Sequence, residues 1–160
     1  MPETEADAAE VWSVCVAKKY RRTFGLRLAN TVVRGLLRLG VKMDSTYMLS
    51  VVGRKSGKLH ATPVNLVEDG DQRWLVGPYG EVNWVWNARA SRAVMLTRGW
   101  RSETVRLVEL GPEESAPVLK RYLEQNAITR PYFDAAPDAP VEAFRAEAAR
   151  HPVFRIVGPA

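Results

Sequence analysis

Between Thr46 and Leu110 the chain offers five short β-rich runs, each cut off by a turn before it can lengthen. Thr46–Val52, Leu59–Glu68, Arg73–Gly77, Ala93–Arg98 and Ser102–Leu110 are rich in β-branched and aromatic residues, the composition of strands. Between them stand Gly53-Arg54-Lys55-Ser56-Gly57-Lys58, Asp69-Gly70-Asp71 and the turn around Gly99. Connections this short can only fold a strand back on its neighbour, because a parallel crossover needs about a dozen residues or more. The sheet is therefore expected to be antiparallel. Pro63 lacks an N–H, which suits an edge or a bulge within its strand.

Helical patterns surround this block. Pro78-Tyr79-Gly80 reads as a loop and Asn83–Ala90 as a short helix. Pro112 suits a first helical turn, Glu113 and Glu114 suit its positive end, and the helix runs to about Gln125. Thr129–Pro140, with Pro131, Pro137 and Pro140, is expected to be irregular; Val141–Arg150 is expected to be helical, and Val153–Val157 supplies a sixth strand. The class is α+β. Six strands in so few residues favour a six-stranded antiparallel β-barrel with flanking helices, since closure removes exposed edges. The 160 residues are expected to form one domain: a leader and basic amphipathic helix over 1–43, core strands over 44–110, and helices with the last strand over 111–160.

The N-terminal third has a different character. Residues 1–10 are acidic and Ala-rich, and 11–40 read as a helix in which Phe24, Leu28, Val32, Leu36 and Leu39 make one apolar stripe. From Val11 to Met43 there are Lys18, Lys19, Arg21, Arg22, Arg27, Arg34, Arg38 and Lys42, with no acid. Such a block can attract phosphate, anionic lipid or a polyanionic ligand, or can serve only as a solvated face. Peripheral membrane contact through this helix and packing on the core with snorkelling arginines both fit it. An acidic opening is unlike a secretory signal, and charges interrupt the chain far short of the about 20 apolar residues of a spanning helix. A cytoplasmic protein is expected, with membrane association through the basic helix as the alternative.

Several chemistries are excluded early. The sole cysteine, Cys15, precludes a disulfide framework, and His60 and His151 leave too few ligands for zinc, so no metal is expected. Cys15 falls among apolar residues of a helical pattern, where a thiol is inert. There is no Gly-x-Ser-x-Gly nucleophile elbow. The 53–58 turn is not a nucleotide-binding phosphate loop, having three residues between its glycines and Leu59 after Lys58. Basic residues are not interleaved with aromatics as nucleic-acid binding would need.

Three features could carry function. In the turn, Gly53 and Gly57 would let N–H groups converge on an anion, while Arg54, Lys55 and Lys58 add charge and Ser56 a hydroxyl; a simple basic hairpin tip fits the same residues. His60 follows on the next strand, beside this charge, and could face a ligand. Gly77, Pro78, Tyr79 and Gly80, then Trp84, Trp86 and Asn87, form a second feature in a chain of five tryptophans. Glycine admits a flat ligand close to the backbone and tryptophan offers an apolar wall, although one of the two indoles could instead plug the barrel mouth. In the third, Thr129–Asp134, Tyr132 could give a proton or hydrogen bond to a reacting oxygen, or could anchor a long connection.

Together these residues resemble the deazaflavin-dependent nitroreductase family, also called the quinone reductases that use coenzyme F-420 (8-hydroxy-5-deazaflavin). The resemblance rests on Gly53-Arg54-Lys55-Ser56-Gly57, on the Thr62-Pro63-Val64 step, on the Gly77–Gly80 loop and on Trp86-Asn87, and covers about residues 45–110. It implies a split β-barrel and a reduced deazaflavin as hydride donor, with a nitro compound, quinone or enone as acceptor. Arg54, Lys55, Ser56 and Lys58 match the positions that hold the cofactor's phosphate and acidic tail. Pro63, Val64 and the residues from Gly77 to Asn87 match those along its ring, and the loop of Tyr132 has its counterpart on the substrate side. His60 stands where relatives often carry Arg, and Asn83-Trp84 where they place proline before an aromatic residue. A barrel using FMN, whose shorter anionic tail needs fewer cations, and a non-catalytic carrier of cofactor or lipid are the alternatives. A homodimer is compatible with the sequence.

Overall fold

A computed structural model of the chain describes residues 45–159. The leader, the 11–40 helix with its basic residues, and Cys15 lie outside the described residues. The strands are β1 (Thr46–Val52), β2 (Leu59–Asp69), β3 (Gln72–Val76), β4 (Ala93–Arg98), β5 (Arg101–Glu109) and β6 (Val153–Pro159). The helices are α1 (Asn83–Ser91), α2 (Pro112–Gln125) and α3 (Ala143–Glu147), with a 3₁₀ turn over Ala127–Tyr132. The strands close a barrel in the order β1-β2-β3-β6-β5-β4, and all six pairings are antiparallel. The antiparallel barrel expected from the turn spacing is thus present.

Alternation along each strand builds the interior. Tyr47, Leu49 and Val51 of β1 face Val64 and Leu66 of β2, Leu75 of β3, Val94 and Leu96 of β4, Val105 and Leu107 of β5, and Phe154 of β6, all buried in one cluster. Period two puts these side chains inside and their neighbours outside. Helix α1 closes one end of the barrel, adding Val85 and Ala88 to the cluster. It ends at Arg92, whose left-handed φ of 56° reverses the chain into β4.

A second apolar layer lies outside the barrel. Val67, Val76 and Val153 pack against Ala116, Val118, Leu119, Tyr122 and Leu123 of α2, with Phe133 and Phe144. Pro112 and two glutamates begin α2, as the sequence predicts. Helix α3 is shorter than the expected Val141–Arg150, spanning only Ala143–Glu147. Residues 148–150 go on as turns, with the Arg150 and His151 N–H groups both on the Glu147 carbonyl at 2.9 Å, and Pro152, which disfavours helical angles at His151, leads the chain into β6. The expected irregular stretch instead begins as the 3₁₀ turn, which tolerates Pro131 in its short run. Among the described residues no helix is long and apolar enough to cross a membrane.

The pairing register contains the feature that matters for function. β2 pairs with β1 from Leu59 to Asn65, but with β3 only from Leu66 to Asp69. At the α1 end, the stretch from Leu59 to Asn65 therefore has a strand on one side only among the described residues. The barrel is split there, between the first half of β2 and the loop that follows β3.

Candidate functional site at the split end of the barrel

The basic turn begins at one end of this split. It is closed by its own backbone: the Gly53 N–H donates to the Lys58 carbonyl at 2.8 Å, and the Gly57 N–H to the Gly53 carbonyl at 2.8 Å. Gly57 has φ +64°, a conformation that favours glycine. The Lys58 N–H reaches Ser56 Oγ at 3.3 Å. The Arg54 N–H and guanidinium both donate to Asn87 Oδ1, at 3.1 and 3.0 Å. These bonds correct the expectation of an inward nest of free amides: those of Gly53, Arg54, Gly57 and Lys58 already have acceptors. What the turn offers an anion is the side chains of Arg54, Lys55 and Lys58, all exposed.

Asn87 is buried, so its carbonyl docks the turn on α1. His60 lies across Gly53, with Nε2 3.3 Å from Ser56 Oγ. A Cβ at Gly53 would stand 2.7 Å from both His60 Nε2 and Ser56 Oγ. Both side chains are exposed, so we expect Gly53→Ala to push His60 and Ser56 off the turn at a cost well below the about 1–3 kcal/mol of overpacking in a core. Denaturant unfolding checks this; a midpoint clearly lower than that of the parent chain would show that the turn holds His60 in place.

The two indoles divide the roles foreseen for them. Trp84 packs against the barrel interior, tilted on Phe154 at 6.1 Å between ring centroids. Trp86 is exposed, with the Arg89 guanidinium 4.8 Å and the Arg54 guanidinium 5.9 Å from its ring centroid. Arg89 bridges α1 to β5 through Glu109, at 2.9 and 2.7 Å, and reaches Glu81 at 2.6 Å. The Glu109 carboxylate, helped by Glu81, raises the Arg89 pKa above its usual value against the opposing effect of burial. Trp86 is thus held between two cations, which favours a fixed ring.

Across the split, Gly77 and Gly80 shape the loop after β3. The Gly77 N–H donates to the Pro152 carbonyl at 2.8 Å, and the Gly80 N–H to the Gly77 carbonyl at 3.0 Å. Gly77 and Pro78 are buried, and the Tyr79 and Tyr132 rings meet in a T-shaped contact at 5.0 Å and 88°. Tyr132 ends the 3₁₀ turn and packs partly against the outer apolar layer. Asn65, where the open stretch of β2 ends, ties that strand to the end of α2 and to β1. Its amide nitrogen donates to Asn126 Oδ1 at 2.6 Å, and its own carbonyl accepts from Thr46 Oγ1 at 2.7 Å.

The structure therefore places the basic turn, His60, Pro63, the Gly77–Gly80 loop, Trp86 and Tyr132 around one end of the barrel. Val64 departs from the expected set. It pairs with Tyr47 and turns its side chain into the core, so only its backbone could meet a ligand. Asn65 and Asn126 were not foreseen, nor were Glu147 and His151, which brace the Tyr132 loop. Glu147 and His151 stand four apart, which signals a shared helix face but not the loop they meet.

The family model described as F-420H(2)-dependent quinone reductase matches residues 20–134. No curated protein matches the chain. Among solved structures it is similar to an F-420-H2-dependent reductase, at 22% identity and TM-score 0.48, covering 71% of this chain and 94% of that one. A domain-swapped dimer is similar at 20% identity and TM-score 0.54, covering 83% of this chain and 99% of that one. A protein of unknown function from Agrobacterium tumefaciens is similar at 15% identity and TM-score 0.53, covering 90% of this chain and 60% of that one. The barrel architecture is shared with the latter two. The family match spans most of the chain, and with it this chain belongs to the F-420H(2)-dependent quinone reductases, oxidoreductases that use a reduced deazaflavin.

Proposed function

We propose that the split between β2 and the Gly77–Gly80 loop is the cofactor and acceptor site, and that the acceptor is a quinone, with nitro compounds and enones as further candidates. The observation that carries this reading is the open edge of β2, which runs from Asn65 into a turn of three exposed cations and is faced by the Tyr79–Tyr132 pair. The residues present fit the group. A deazaflavin with a phosphate and a glutamate tail is a polyanion, and Arg54, Lys55 and Lys58 offer more charge than a single phosphate needs. The unpaired edge of β2 offers backbone donors and acceptors, and Pro63 faces outward on it opposite Met48.

When bound, the reduced deazaflavin supplies the hydride, so no protein nucleophile is required. The chain's part is to bind, orient and manage charge. Lys55 and Lys58 hold the anionic end, and Asn87 keeps the turn seated on α1 through Arg54. Trp86, fixed between Arg54 and Arg89, walls the site beside them. Tyr132 gives a hydrogen bond or a proton to the acceptor oxygen that gains negative charge.

The basic turn should govern affinity rather than turnover of bound cofactor. Lys55→Ala is expected to weaken binding of oxidised deazaflavin by about 1–3 kcal/mol, the range for a charge-assisted hydrogen bond. Arg54→Ala should lose a similar amount, part of it by freeing the turn from Asn87. Affinity should fall as salt rises, because exposed ionic contacts are screened. Titration followed by tryptophan quenching measures both, and parent-like affinity in both variants across a salt series would remove the turn from the site.

A further inference from the structure

Helix α3 ends in a carboxylate that the reaction outlined above does not use. Glu147 is 1% exposed, one of the few charged groups so deeply buried among the described residues. Its Oε1 accepts the backbone N–H groups of Asp134 and Ala135, both at 2.7 Å. Its Oε2 accepts from Arg150 at 2.9 Å, and Arg150 also meets the Asp134 carboxylate at 2.5 Å. The His151 ring stacks on Phe133 at 3.9 Å and 16° between planes. Its Nε2 lies 3.3 Å from Glu147 Oε2, off the line of a hydrogen bond, and neither ring nitrogen has a hydrogen-bond partner.

These contacts converge on the residues that directly follow Tyr132. The same short segment also holds the opposite loop: the Pro152 carbonyl takes the Gly77 N–H, and a Cβ on Gly80 would stand 3.2 Å from the Arg150 carbonyl. Residues 147–152 thus touch both loops whose aromatic rings meet beside the split, Tyr79 on one and Tyr132 on the other. Burying a carboxylate is costly, and a buried ion pair is weak evidence for stability. Two backbone amides and a guanidinium offset that cost here, and all three fix the course of one loop. Burial pushes the Glu147 carboxyl up, yet His151, the Ala135 amide and Arg150 outweigh it and hold the group below the ordinary carboxylate range. The ionised form is therefore the one that grips the loop.

We propose that Glu147 is a positioning residue of the reductase, its carboxylate clamping the amides of Asp134 and Ala135 so that Tyr132 stands against Tyr79 at the acceptor side of the split. The inference rests on the reading of Tyr132 given above. Glu147→Gln keeps the shape and one acceptor oxygen but removes the charge. In that variant the amide hydrogens of Asp134 and Ala135 should exchange about tenfold faster or more, a local opening readable without cofactor. Deazaflavin affinity should stay within about twofold, while quinone turnover falls about tenfold. In a Tyr132→Phe background the same change should cost no further turnover, because residues acting as one unit are not additive. Glu147→Asp, which keeps the charge one methylene short, should recover part of the loss; if the Gln variant does not fold, the Asp variant carries the same measurements. Unchanged exchange at the two amides, or an equal loss of turnover with and without the Tyr132 hydroxyl, would overturn the proposal. A parent chain that binds no deazaflavin would sink the functional reading instead, and exchange at the two amides would still decide whether the clamp exists.

Discussion

Replacing Phe154 with alanine is expected to cost about 3–5 kcal/mol of folding stability, the range for a buried aromatic truncated in a core. Total stability of a domain is about 5–15 kcal/mol, so the variant should lose a large share of it. Phe154 is 2% exposed and opposes Leu75 on β3 and Glu109 on β5, at the point where β6 joins the two halves of the barrel. Its neighbours belong to paired strands and cannot collapse far into the space it leaves. Trp84 leans on the same ring, so the damage should reach α1 and through it the seat of the basic turn. Denaturant unfolding with tryptophan emission measures both effects: an earlier midpoint, and a shift of emission to the red in the folded baseline. A loss below about 1 kcal/mol would mean that Trp84 refills the space, and that the barrel interior is softer than its strand pairing implies.

The strands were legible because turn chemistry and period-two alternation are local. β1 and β4 begin and end where Thr46–Val52 and Ala93–Arg98 predict, and α2 runs from Pro112 to Gln125 as read. The split was legible only in part. Leu59 to Glu68 reads as one strand; Pro63, which suits an edge or a bulge, is its one local sign that the first half has a strand on one side only among the described residues, and the split barrel itself came from the family resemblance. That outcome depends on where β3 begins to pair, which is set by residues far along the chain. Val64 shows a different limit. The Thr-Pro-hydrophobic step drew attention to it, but counting alternate residues from its partner Tyr47 puts its side chain in the core. Asn87 was read as lining the cofactor, yet its carbonyl is taken by Arg54, a pairing 33 residues apart that spacing cannot reveal. Trp84 and Trp86 were left to share two roles, and helix α1 decides between them by facing one inward and one outward.

Tyr132→Phe is expected to leave deazaflavin affinity unchanged while lowering quinone or nitroaromatic turnover about 10²-fold, the low end for a positioned acid. The substitution is a clean one here. Phenylalanine keeps the ring that meets Tyr79 edge to face, and keeps the packing against the outer apolar layer, so only the hydroxyl is lost. The basic turn belongs to a separate group of contacts, through Asn87 and Trp86, and should not feel the change. Hydride arriving at a quinone or nitro group leaves negative charge on oxygen, and a phenol held beside that oxygen stabilises the charge as it forms. The loss should therefore appear in kcat and in kcat/KM together, as for an interaction made only in the transition state. A rise in KM at constant kcat would instead make Tyr132 a part of acceptor binding. Unchanged turnover would assign the ring to anchoring the loop, and would move the proton to Tyr79, directly against it, or to His60 beside the basic turn.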